Sequence, residues 1–225
     1  MGKGKLAKFA ENETFPNLFQ PLYEDVVAHG FPLKGKWCSE FFQNTNPIVL
    51  ELGCGKGEYT VGLGEKYPEK NFIGVDIKGA RIWRGLRRTR EKNLKNVAFL
   101  RTRISNINLF FAPNEVNEIW ITFPDPQPKK ENKRLTCQYF LNNYKKLLAS
   151  DGIIHLKTDD TMLYEYTLNE VINDGNHRLL LHSDDLYKEG NPHLEVMEIQ
   201  TYYEQMWLDM GKKIKYIRFQ LNPDN

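Results

Sequence analysis

Residues Pro47 to Gly57 read P-I-V-L-E-L-G-C-G-K-G, and the chain passes from an apolar run to a glycine-rich one within a single residue. Such a change marks a strand feeding a tight turn. Ile48, Val49, Leu50 and Leu52 have the branched, apolar character of a strand buried on both faces, while Gly53, Gly55 and Gly57 allow backbone to approach a ligand where any Cβ would clash. This is the pattern of a nucleotide-cofactor loop. The dinucleotide fingerprint G-x-G-x-x-G would need glycine at Glu58, so a pyrophosphate-cradling dehydrogenase loop is disfavoured. Glu51 is the stranger feature, because a carboxylate inside an apolar strand is costly unless something cationic or hydrogen-bonding meets it. A cationic ligand would meet it.

Asn71 to Asp76 (N-F-I-G-V-D) is a second apolar strand ending in an acid, 25 residues after Glu51. In a doubly wound sheet that acid faces the ribose hydroxyls of an adenosine moiety. The acid-bearing glycine loop and the acid-ended second strand together resemble the class I S-adenosylmethionine-dependent methyltransferases, whose cofactor carries a sulfonium cation and no phosphate. The resemblance accounts for the missing third glycine.

At 225 residues and 40% hydrophobic the chain is long enough for one core, expected as a single domain over 1–225. No run reaches the length of a membrane span, and the start M-G-K-G-K-L lacks the apolar core of a signal peptide, so a cytoplasmic protein is expected. Cys38, Cys54 and Cys137 are widely spaced and show no metal-ligand spacing with His29, His155, His177, His182 or His193, so neither a disulfide framework nor a metal site is expected. Monomer and homodimer both remain open. The net charge of +2 is small, but its distribution is uneven. From Lys78 to Arg103 the only acid is Glu91, whereas Ser183 to Glu204 is acidic.

Along the chain, residues 1–12 read as a flexible basic arm and 13–46 as a lid segment in which Trp37, Phe41 and Phe42 cover one edge of the core. The catalytic core is expected over 47–225. Helices are predicted over Glu58–Tyr67, Gly79–Asn93 and Thr161–Ile172, with Thr136 capping another that runs to the Asp151-Gly152 turn. Strands are predicted at Asn96–Leu100, Val116–Phe123 and Ile153–Lys157, and an antiparallel pair near Arg178–His182 and Ile214–Leu221. The alternation predicts an α/β, doubly wound, mostly parallel seven-stranded sheet with an antiparallel edge strand, its cofactor over the C-terminal strand ends. Arg81, Arg84 and Arg88 share one helix face, either a phosphate contact or a solvated outer face.

The fourth strand ends in F-P-D-P-Q-P-K-K-E-N-K-R-L-T, Phe123 to Thr136, with three prolines in five residues. Pro124 and Pro126 restrict the dihedrals around Asp125, so its carboxylate is presented from a rigid loop where ligand-facing loops are expected. Pro-Asp-Pro followed by Lys-Lys and Lys-Arg-Leu-Thr is similar to the bacterial tRNA (guanine-N7)-methyltransferases. The resemblance extends over F-P-N-L-F-Q-P, E-L-G-C-G-K-G, N-F-I-G-V-D, I-W-I-T-F-P-D-P, G-I-I-H-L-K-T-D and T-Y-Y-E.

It implies methyl transfer from S-adenosylmethionine to N7 of a tRNA guanine, at guanosine 46 of the variable loop. It also implies cofactor contacts from Glu51, Gly53, Gly55, Asp76 and Asp125, with Asp125 as the catalytic-site acid. Lys129, Asp159, Thr201, Tyr203 and Glu204 would touch the substrate guanosine, and Lys130, Lys133 and Arg134 the RNA phosphates. The family carries Trp where this chain has Gln127, and an Asp-Ala pair where it has Arg103-Ile104, so adenine contacts are expected from Ser105 or Asn106 instead.

Guanine N7 has an in-plane lone pair and no proton, so methyl transfer to it needs no general base, and the Pro-Asp-Pro loop offers no His or Cys to act as one. A carboxylate such as Asp159 or Glu204 can accept from guanine N1–H and N2 and reject adenine. Thr201-x-x-Glu204 also has the spacing of a helix capping box, and both readings stand. Two other classes compete: a methyltransferase of amino groups or small molecules, and a catalytically silent RNA-binding protein. An N-P-P-Y-like loop would favour N6-adenine chemistry, which Phe123-Pro-Asp-Pro126 is not.

Overall fold

The computed structural model describes residues 3–188 and 194–222; Met1 and Gly2 of the expected arm, and His193, lie outside the described residues. In chain order the elements are α1 (Lys3–Asn12), β1 (Leu18–Phe19), α2 (Tyr23–His29), β2 (Ile48–Leu52), α3 (Glu58–Lys66), β3 (Asn71–Asp76), α4 (Gly79–Glu91) and β4 (Val97–Arg101). They continue as β5 (Val116–Thr122), α5 (Gln138–Lys145), β6 (Leu148–Thr158), α6 (Thr161–Tyr166), β7 (Arg178–Ser183), α7 (Leu194–Glu198), α8 (Tyr202–Asp209) and β8 (Lys215–Gln220).

The strands form one sheet of eight in the order β1-β4-β3-β2-β5-β6-β8-β7. Among the described strands β8 alone runs against the direction of the others, antiparallel to its neighbours β6 and β7. Strand order reverses at β2, which lies between β3 and β5, and in such sheets ligands bind outside the carboxyl ends at that switch. The eighth strand is one more than expected. Leu18 and Phe19 pair in parallel with Phe99 and Leu100, held by the Asn17 side-chain amide, which donates to the Val97 carbonyl at 3.1 Å.

Alternation along the strands sorts the core into two faces. Ile48, Leu50, Ile119 and Ile154 point to one, where Trp37, Phe42 and Phe111 pack. Trp37 is fully buried and stacks on Phe111 with ring centroids 5.5 Å apart, while its indole N–H donates to the Phe110 carbonyl. Val49, Tyr59, Phe99, Trp120 and Tyr216 pack on the other. This second face also receives buried polar side chains: Glu51, Thr122 and Lys157.

Three local expectations are corrected. Lys3–Asn12 is a helix docked on α4 rather than a flexible arm. Trp83 Nε1 donates to Glu11 at 2.7 Å, the Asn12 amide donates to the Gly79 carbonyl at 3.1 Å, and a Cβ at Gly79 would lie 2.9 Å from the Phe9 ring. Few but well-spaced anchors among the lysines suffice once α4 provides a partner. Thr136 does not cap α5: it is fully buried and its hydroxyl pairs with that of Thr167 at 2.9 Å, while Cys137 occupies the cap position without a side-chain bond. The helix ends at Lys145, and Leu148 already pairs with Val116, so the Asp151-Gly152 turn is absorbed into an irregular β6.

Candidate cofactor and substrate site

At the switch point the chain leaves β2 through three glycines with positive φ, +80° at Gly53, +55° at Gly55 and +66° at Gly57. They serve two purposes. A Cβ at Gly53 would meet nothing within 4 Å, so its side faces open space above the loop, whereas one at Gly57 would lie 2.6 Å from the Phe99 ring and 3.3 Å from Gly85 Cα. Gly53 thus leaves room for a ligand, and Gly57 brings α3 against the sheet and α4. The loop is tied to β3: Gly53 N–H and Cys54 N–H both donate to the Val75 carbonyl, at 2.8 and 3.1 Å.

Asp76 braces the same loop, because its carboxylate accepts from Gly55 N–H at 2.9 Å and from Lys78 N–H at 2.7 Å. Each oxygen keeps a lone pair for a hydroxyl. Glu51 is 4% exposed. One carboxylate oxygen accepts from the Thr122 hydroxyl at 2.7 Å; the other accepts from Thr60 N–H at 2.8 Å and from the Thr60 hydroxyl. All its donors are neutral, and burial pushes its pKa up to about 7 even though Thr60 and Thr122 pull the other way.

Glu51, Gly53, Gly55, Thr122, Thr201 and Tyr203 line one pocket of about 100 Å³, with Lys56 and Arg81 at its wall. A larger cleft of about 570 Å³ begins where β3 ends, at Ile77, and is walled by Arg101, Arg103, Ser105 and Asn106. Asp76 stands between the two. These residues fit a cofactor with a cationic amino-acid end and a ribose: an acid without a cationic partner, a loop left open at Gly53, and a second acid at the end of β3.

Asp125 is exposed, and its carboxylate accepts from Gln127 N–H at 3.1 Å. Phe123 and Gln127 have φ of +48° and +49°, uncommon for residues with side chains, so the Pro-Asp-Pro loop is a constrained turn at the pocket rim. Lys129, Lys130 and Lys133 beyond it are exposed. Arg134 is not among them. Its guanidinium is buried and stacks on Tyr166 at 4.2 Å, which removes it from the expected phosphate contacts. Asp159 is paired with Lys212 at 2.8 Å.

Thr201 and Glu204 form the capping box of α8, with the Thr201 hydroxyl accepting from Glu204 N–H at 3.2 Å. Glu204 is fully buried and lies 2.6 Å from the equally buried Lys157 ammonium, so the expectation that it reads the guanine edge is corrected. Tyr203 is 42% exposed and Tyr202 60%, and the Lys56 ammonium sits 4.5 Å over the Tyr202 ring. Sequence reasoning missed Thr60, Thr122 and Lys56, and it read Arg81 only as part of a basic helix face, whereas Arg81 lines the pocket beside Glu51. For Thr122 a signal existed, since it has the strand parity of Trp120, which pairs with Glu51; Thr60 and Lys56 carry none.

A family model described as "Putative methyltransferase" matches residues 45–217. The crystal structure of the 16S rRNA methyltransferase KamB has the same fold, with a TM-score of 0.63 at 11% identity over 82% of this chain and 92% of that one. The open doubly wound sheet is shared with that structure, and the family match makes the chain a methyltransferase. Among curated relatives, the tRNA (guanine-N(7)-)-methyltransferase of Bacteroides fragilis (strain YCH46) is 53% identical over 98% of this chain and 87% of its own length. That of Christiangramia forsetii is 54% identical over 97% and 98%. The chain belongs to the tRNA (guanine-N(7)-)-methyltransferase family.

Proposed function

We propose that this chain transfers a methyl group from S-adenosylmethionine to N7 of a guanine in tRNA, guanosine 46 of the variable loop. The observation that carries the reading is Glu51, a buried carboxylate whose protein donors are all neutral, beside an open glycine loop at the switch of the sheet. The near-full-length identity to tRNA (guanine-N(7)-)-methyltransferases supports the substrate.

Glu51, Gly53 and Gly55 would hold the amino-acid end of the cofactor and Asp76 its ribose, with Ser105 and Asn106 on the adenine side. When bound, S-adenosylmethionine supplies an electrophilic methyl on a positively charged sulfur. N7 presents a lone pair without a proton, so the chain's work is positioning and electrostatics rather than proton abstraction. Asp125, held by its turn, places negative charge where positive charge moves onto the purine. Tyr203, with its exposed neighbour Tyr202, offers a flat surface for the base in place of the Trp absent at Gln127. Lys129, Lys130 and Lys133 face solvent for phosphates, and Asp159 serves the substrate only by giving up Lys212.

The test is to methylate unmodified tRNA with labelled S-adenosylmethionine and map the product by cleavage at N7-methylguanosine. A single cleavage at guanosine 46 is expected. Label in another base, or none in tRNA, would overturn the assignment.

A further inference from the structure

Lys157 is the last but one residue of β6 and Glu204 lies in the first turn of α8; both are 0% exposed, with their charges 2.6 Å apart. The ammonium also donates to the Val196 carbonyl and lies 5.4 Å from the centre of the Tyr59 ring. Glu204 accepts in addition from the Tyr187 hydroxyl at 2.7 Å and from Thr201 N–H at 3.4 Å. Its carboxylate is thus satisfied by the protein on every side. One sheet lysine therefore holds Val196 in α7 and Glu204 at the start of α8 directly, and through Glu204 it reaches Tyr187. The same segment delivers Thr201 and Tyr203 to the pocket beside Glu51.

A buried ion pair is a poor source of net stability, since desolvation offsets most of the attraction. What it imposes is geometry, because neither charge tolerates losing its partner. Thr201 N–H, Glu204 N–H and the Glu204 side chain are linked through the capping box, so fixing the carboxylate fixes the first turn of the helix. The turn is met from the other side by Glu58 at the start of α3, which accepts from Tyr202 N–H at 3.0 Å.

We infer that Lys157 is a positioning residue: its ion pair with Glu204 sets the first turn of α8, and with it Thr201 and Tyr203, against the cofactor pocket, and Glu204 acts through Lys157 rather than on the substrate base. The kinetic part of this inference rests on the proposed methyl transfer; the structural part does not.

The experiment compares Lys157→Met, Glu204→Gln and the double variant with the wild-type chain, at a temperature where denaturation curves show all of them folded. Two readouts are taken: KM and kcat for tRNA methylation, and hydrogen exchange of the Glu204 and Gln205 amides, which are bonded to the Thr201 hydroxyl and carbonyl. Each single variant is expected to raise KM for tRNA about tenfold with a smaller change in kcat, and to speed exchange at both amides. The double variant should return KM to within about twofold of wild type. Gln keeps the capping box, and in the double variant no buried charge is left without a partner.

A loss in Glu204→Gln that Lys157→Met does not recover would show the carboxylate acting directly on the base and overturn the inference. So would a Lys157→Met protein with unchanged KM and exchange. If Lys157→Met alone does not fold, recovery of the double variant relative to Glu204→Gln still decides. If the wild-type chain forms no N7-methylguanosine, the proposed function fails, while amide exchange in the variants still decides the positioning role.

Discussion

Glu51 and Glu204 are two carboxylates buried against the same face of one sheet, at 4% and 0% exposure, yet their partners are opposite in kind. Glu204 has an ammonium from its own chain at 2.6 Å. Glu51 has only hydroxyl and amide donors, and burial holds its pKa near 7. The difference is one of completeness. A buried acid that the protein has already neutralised fixes structure, whereas one met only by neutral donors still has its charge uncompensated, and the proposed function gives it a cation from outside.

The comparison breaks most easily at Lys157. Removing its ammonium in Lys157→Met strands a buried carboxylate and should cost about 3–5 kcal/mol of unfolding free energy, read by chemical denaturation, with most of it regained in Lys157→Met/Glu204→Gln. Asp125 offers a third, exposed acid, for which the proposed role is electrostatic. Asp125→Asn should lower turnover by about 10²-fold while cofactor and tRNA still bind, and wild-type single-turnover rates should not rise tenfold per pH unit, as they would if Asp125 took a proton.

Glu51 sharpens the contrast through opposite signs. Its pKa rises from 4.5 in the unfolded chain to about 7 in the fold, so the native state binds the extra proton between those values. Its contribution to stability is therefore present below pH 4.5 and lost as pH rises through 7. Glu51→Gln should stabilise the free protein by roughly 1–3 kcal/mol above pH 7 and by little at pH 4.5, checked by urea melts. The same change should weaken S-adenosylmethionine binding by about 1.5–3 kcal/mol in calorimetry. A variant that lost stability at pH 8 and kept its cofactor would place Glu51 with Glu204. The smallest effect expected is at the rim: Lys129→Ala and Lys133→Ala should each reduce the salt slope of tRNA binding by about 0.7–0.9, and Arg134→Ala should leave the slope unchanged and lower stability instead.

Much of the fold could be read before the structure. The strand–glycine–helix transition at Glu51, the acid-ended β3, the antiparallel pair at the C-terminal edge and the capping box at Thr201 all appear where expected. The two-residue β1 did not announce itself, because Leu18–Phe19 is a strand only through its pairing with β4. Helix α1 was hidden for a related reason: Phe9, Glu11 and Asn12 look sparse among lysines until Gly79 and Trp83 stand opposite them.

What the sequence alone determined is whatever follows from neighbouring residues. Glycines after an apolar strand make an open loop, prolines around Asp125 make a stiff one, and Thr-x-x-Glu makes a helix start, because backbone dihedrals and short-range hydrogen bonds depend on residues within one turn. The tertiary structure alone decided which charges are free. Lys157 meets Glu204, Arg134 lies on Tyr166 and Lys212 takes Asp159, while Glu51 gathers only Thr60 and Thr122. Whether a charge is paired depends on burial and on partners brought from distant parts of the chain, and these exist only once the sheet has formed.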